Sequence, residues 1–193
     1  MKKYQKWHLP LEQDDVIVGD ALEDLQSHGS DSIDGDIPLV IRLCENPQFG
    51  WLNGDLFPGA ADLNTHDIIH VLLGRGMMPK DEAFVIGYTM GSTRRMTPLR
   101  IKLFCWINQT FYPHYYRFTE EEVRVFEWGI KCGEKCRFDL SRMHVDDIID
   151  KPVRVVRQAF GIDIEWLQAQ YEIEADYYPK SFESIRSAGL AHG

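Results

Sequence analysis

Four cysteines in 193 residues, at Cys44, Cys105, Cys132 and Cys136, are too few and too scattered for the disulfide framework of a small secreted protein. Cys132 and Cys136 could share a helix face, but no second pair stands near them, so free thiols in a reducing compartment are expected. No run approaches eighteen consecutive apolar residues, so no membrane-spanning helix is expected. Basic charge is short: 21 Lys and Arg against 30 Asp and Glu give a net charge of −9, which argues against a nucleic-acid partner. Met1 to Pro10 carries neither an Arg/Ser-rich presequence nor a signal-peptide pattern. An unprocessed, cytoplasmic protein is expected, with room for peripheral contact at a membrane.

Strand alternation is scarce too, whereas helix signals recur. Residues of hydrophobic type make up 44%, with five tryptophans and ten phenylalanines, enough for one core of one domain, residues 1–193. Asp14-Asp15 reads as the cap of a first helix over Val16 to Gln26, and Pro38 to Leu43 as a second. Gln48 to Ala60 reads as a loop anchored by Trp51 and Phe57. Thr97-Pro98 opens a helix to about Gln109, apolar on most sides and therefore placed in the core. Thr119 with Glu122 has capping-box form. A helix after Pro152 should stop at Gly161, and Asp163 should cap another to about Glu174. Residues 177–193 read as a flexible tail. The expected class is all-α, an irregular bundle of about seven helices built around a metal-binding helical hairpin.

That hairpin lies in His66-Asp67-Ile68-Ile69-His70, eleven residues, then Glu82. Histidines four apart differ by about 40° around a helix axis, so both imidazoles project from one face. Asp67, about 100° round from His66, can supply an oxygen ligand or orient a water. Gly74-Arg75-Gly76 marks a helix end, and Pro79 suits the first turn of the next helix. A short connection makes the two helices antiparallel neighbours. His70 and Glu82 each lie roughly 5–6 Å of rise from the break, at matching heights. Nitrogen and oxygen donors of this kind suit zinc first, with iron, manganese or magnesium as alternatives.

The motif is similar to that of the coenzyme Q (ubiquinone) biosynthesis protein 4 family, with His66, Asp67, His70 and Glu82 on its metal positions. The resemblance, carried by residues 60–95, implies an all-helical metalloprotein that associates with a prenylated quinone precursor or related isoprenoid lipid. It implies oxidative decarboxylation at ring C1, with Asp67 as the candidate catalytic group, or a role in a lipid-synthesis complex. Ala83, Gly87 and Gly91 recur every four residues beside the hairpin. They read either as close helix packing or as a groove for a prenyl tail walled by Met77, Met78, Phe84 and Tyr88. Arg75, Arg94 and Arg95, with Arg100, are candidate head-group contacts, since guanidinium forks suit carboxylates and phosphates. Exposed apolar residues would suit a homodimer. A second reading is a His-Asp metal phosphohydrolase, for which His28 and Asp147 would be the extra ligands; a third is a non-catalytic lipid-binding scaffold whose metal fixes the hairpin. His144, Asp146, Asp147 and Asp150 mostly read as caps and solvated charge.

Overall fold

A computed structural model describes residues 5, 7–29, 57–59, 61–112 and 117–190. The expected helix at Pro38 to Leu43, Cys44 and the anchor Trp51 lie outside these residues. Among the described residues the chain is all-α, with eight α-helices and no strand beyond an isolated antiparallel bridge between Ile17 and Pro152. The helices are α1 (Val18–Gly29), α2 (Leu63–Leu73), α3 (Pro79–Ser92), α4 (Pro98–Phe111), α5 (Glu120–Gly133), α6 (Val153–Phe160), α7 (Ile164–Tyr177) and α8 (Phe182–Ser187). Two 3₁₀ turns, Leu140–Arg142 and Val145–Asp147, separate α5 from α6. No helix among them is long and apolar enough to cross a membrane.

Local chemistry sets most boundaries. Asp62, Thr97, Thr119, Asp163 and Ser181 each accept a backbone N–H of the first turn they precede, satisfying donors that have no partner inside the helix. Thr119 and Glu122 form the reciprocal capping box. Gly74 and Gly161 end α2 and α6 in the left-handed region, with φ 65° and 71°, which glycine adopts without a Cβ clash. The first helix begins at Val18 because Ile17 is held in the bridge to Pro152: Val153 N–H donates to Val16 O and Val18 N–H to Lys151 O.

The centre of the bundle is the crossing of α3 and α5. Gly87 and Gly91 of α3 face Gly129 and Gly133 of α5 so closely that a Cβ at Gly87 would lie 2.2 Å from Phe126 O, and one at Gly133 2.1 Å from Tyr88 O. The small-residue strip is thus a backbone-to-backbone contact; the prenyl groove expected along it is filled by α5. The matching spacing of Gly129 and Gly133 was visible in the sequence and marks the partner face.

Two other expectations are corrected. Helix α4 is not enclosed: only Phe104, Cys105 and Asn108 are buried, while Leu99, Trp106 and Phe111 stand in solvent. Nor is the segment from Tyr177 to Leu190 a loose tail, because α8 packs against α7 with Glu183, Ser184, Arg186 and Ser187 buried. Cys105, Cys132 and Cys136 are free thiols, as expected, and all three are buried.

Candidate metal centre

The histidine pair is placed by the end of its helix. The last four carbonyls of an α-helix have no intrahelical donor, and in α2 all four are taken. Arg75 N–H donates to His70 O at 3.0 Å and Gly74 N–H to Val71 O at 3.2 Å. Arg157 Nε donates to Leu72 O at 2.9 Å, and the Tyr171 hydroxyl to Leu73 O at 2.7 Å. Two of these donors are long-range side chains, so α6 and α7 clamp the helix that carries the imidazoles.

Glu82 arrives from the first turn of α3. Pro79 occupies its first position, and the buried Asp81 carboxylate accepts Met78 N–H at 3.0 Å. Asp81 also pairs with Arg186 and stands 3.8 Å from Arg75. Arg75 is fully buried, forks onto the Glu174 carboxylate, and lies between the rings of Phe84 and Tyr171 at 4.2 and 4.1 Å. Ser184 Oγ donates to the same carboxylate at 2.8 Å. Burial works against the charge on Arg75, but Glu174 outweighs it and holds the guanidinium above its ordinary range. This network joins the hairpin loop to α7 and α8.

His66 Nε2 and His70 Nε2 stand 3.0 Å apart, with the rings edge to face. Glu82 reaches both, Oε2 at 3.1 Å from His66 and Oε1 at 3.4 Å from His70. All three donors fall within 4.8 Å of one another. Zinc bonds of about 2.0–2.1 Å at tetrahedral angles set donors about 3.3 Å apart, so these separations match a shared cation. Two facing Nε2 atoms hold either one proton or one cation between them, and the carboxylate favours a positive occupant. His66, His70 and Glu82 could therefore hold a metal ion. His70 Nδ1 is buried with no hydrogen-bond partner among the described residues, so packing rather than an outer acceptor orients this ring.

Asp67 does not join the three donors. Its Oδ2 accepts from Gln26 Nε2 at 3.1 Å, and Gln26 is shared with Asn64 Oδ1 at 3.2 Å. Asp67 is nevertheless close enough to feel the site. Burial raises its carboxyl, offset only in part by Gln26, His70 and His66. Nothing in the sequence pointed to Gln26, which is 41 residues away.

The other expected site residues scatter. Arg75 is no surface head-group contact, being locked in the network above. Arg94 and Arg95 follow the far end of α3, at least roughly 15 Å of helix axis from Glu82. Arg94 takes a left-handed φ of 55° and donates to Cys136 O at 2.8 Å. Phe84 and Tyr88 are core residues, and Met77 packs on the core edge. Met78 caps α3. His28 is half-buried, with Nδ1 beside Asp24 O at 2.8 Å, and Asp147 lies in a 3₁₀ turn. Neither meets the histidine pair, and the sole three-donor group among the described residues is His66, His70 and Glu82. The phosphohydrolase reading loses its extra ligands.

Burial disfavours charge on both Glu82 and His70, yet their mutual attraction wins. Glu82 is held well below its ordinary 4.5, and His70 is raised above 6.5. The Glu82 contribution to stability is present above pH 4.5 and is lost as pH falls through its lowered value. The His70 contribution is complete below pH 6.5 and is lost as pH rises through its raised value. With no ion bound, the cluster therefore stabilises the fold most between those limits. A zinc ion needs neutral imidazole and reverses the trend. The thermal shift produced by zinc should widen from about pH 6 to about pH 8 as protons stop competing. A shift that stays constant or shrinks over that interval would remove His70 from the ligand set.

No protein-family model, curated protein or solved structure matches this chain.

Proposed function

We propose that the protein is a metal-dependent member of the quinone-precursor class suggested by its motif, acting on a prenylated aromatic acid. The observation that carries this reading is the convergence of the buried His66 and His70 with the half-buried Glu82 at one point. In the enclosed hairpin, His66 and His70 supply neutral nitrogens and Glu82 balances part of the charge. A three-donor set leaves positions for a substrate oxygen or water. The ion, when bound, supplies Lewis acidity toward a carboxylate or oxygen species at the ring. Asp67, held by Gln26, would accept a hydrogen bond from a water or substrate hydroxyl beside the ion. Hydroxylative loss of the C1 carboxyl as carbon dioxide is a two-electron oxidation, so it would use these elements together with dioxygen as the co-substrate that is reduced.

The scaffold alternative, in which metal fixes the hairpin, has less support. Arg157, Tyr171, Arg75, Asp81 and Glu174 already hold both helix ends without an ion.

Metal content and affinity test the reading. Protein purified without chelator should carry, or take up, about one divalent ion per chain. His70→Ala and Glu82→Ala should each lower affinity by more than ~100-fold, beyond the 10–100-fold typical of outer-sphere changes. Asp67→Asn should stay within that outer-sphere range and keep the ion while losing turnover of a prenylated hydroxybenzoate. Failure of the wild-type chain to take up zinc, iron or manganese would sink the proposal, and normal binding by His70→Ala would misplace the site.

A further inference from the structure

We propose that the outward face of α4 is a docking surface for an anionic lipid bilayer. Leu99, Leu103, Trp106 and Thr110 follow at i, i+4, i+7 and i+11 and form one stripe. Leu99 is 76% exposed and Trp106 55%, and Phe111, at 65%, packs edge-on against the Trp106 ring at 5.4 Å. This exposure does not come from a loosely placed helix, because the opposite face is fixed. Phe104 stacks on Phe126 at 4.8 Å and meets Phe57 edge-on at 5.6 Å. Asn108 Oδ1 accepts Phe118 N–H at 2.7 Å. The helix therefore presents its second apolar face outward while its first is buried.

Charge identifies the occupant. In a chain with 30 acidic side chains and a net charge of −9, no Asp or Glu occurs between Glu82 and Glu120, while Arg94, Arg95, Arg100, Lys102 and Arg117 all lie there. Arg95 and Lys102 are exposed, one leading into α4 and the other on the flank of the apolar stripe. A second copy of the same face would bring like charges together. Anionic phospholipid answers both features: Leu, Trp and Phe seat at the headgroup boundary while Arg and Lys meet the phosphates. No described helix can span a bilayer, so the contact is peripheral. It stands on α4 alone and does not require the metal reading.

Flotation of the full chain with phosphatidylcholine vesicles, with and without phosphatidylglycerol, tests this. The wild-type chain should float with the anionic vesicles, less so as salt rises, and barely with the neutral ones. Arg95→Gln/Lys102→Gln should weaken anionic binding by roughly 25-fold, about five-fold per surface cation removed. Leu99→Glu/Trp106→Glu should abolish it. All four side chains are exposed, so the far-ultraviolet circular dichroism and melting midpoint should stay as in wild type. Wild-type chain that ignores anionic vesicles, or variants that float like wild type, would overturn the proposal. So would a dimer in sedimentation analysis that dissociates in Leu99→Glu/Trp106→Glu without any vesicle binding, since the face would then serve a second copy.

Discussion

Arg75→Ala should destabilise the protein by about 3–5 kcal/mol, the range for removing one partner of a buried ion pair. Glu174, 2% exposed, would remain buried with its cation gone, while Asp81, fully buried, would keep only Arg186. The rings of Phe84 and Tyr171 would face a cavity. Against a total stability of about 5–15 kcal/mol, the loss is large enough to read directly from the midpoint of urea denaturation. Removing both charges is a different perturbation. Arg75→Met with Glu174→Leu should recover much of the loss, because well-packed apolar residues often replace a buried pair at little cost. Because Arg75 and Asp81 flank the hairpin loop, Arg75→Ala should also weaken metal uptake without touching a ligand. A loss below about 1 kcal/mol, the scale of exposed pairs, would show that the network is not what joins the hairpin to α7 and α8.

Gly133→Ala should cost about 3 kcal/mol, the upper end for overpacking a close-packed interior. Its Cβ would meet backbone atoms, Tyr88 O at 2.1 Å and Ser92 N at 2.9 Å. No rotamer change can relieve either contact. Alanine gains roughly 0.5–1 kcal/mol of helix preference over glycine, which is too small to change the sign. α3 and α5 would have to separate, loosening the contact along Gly87, Gly91 and Gly129. Gly189→Ala is the matching control: φ is 72° but nothing lies within 4 Å of the added Cβ. Only backbone strain of roughly 1–2 kcal/mol should appear there. Equal losses at the two positions would argue against the interhelical clash, and a stabilised Gly133→Ala would refute it.

The hairpin was legible in the sequence because everything that defines it is local. Two histidines at i, i+4, a glycine stop, a proline start and Glu82 span seventeen residues, and helix geometry alone converts that spacing into ligand heights. In the structure α2 and α3 run over Leu63–Leu73 and Pro79–Ser92, and the three donors meet. Caps at Thr97, Thr119 and Asp163 were readable for the same reason, since a side chain two or three residues from the backbone group it caps needs no distant partner.

Tertiary structure alone decided which faces are shared and which are free. Arg75 read as a surface cation because its partner Glu174 is 99 residues away. Asp67 read as a ligand because nothing nearby in sequence announces Gln26. Gly87 and Gly91 fitted a helix contact or a groove until α5 supplied Gly129 and Gly133 as the partner face. The apolar periodicity of α4 could not say which side faces inward when both sides are apolar. The segment after Tyr177 read as a tail because a six-residue helix is marginal by itself, and its order comes from docking on α7 and from Arg186 reaching Asp81. Periodicity and capping determine where helices form; burial of a charge or an apolar face depends on partners that only the folded chain brings within reach.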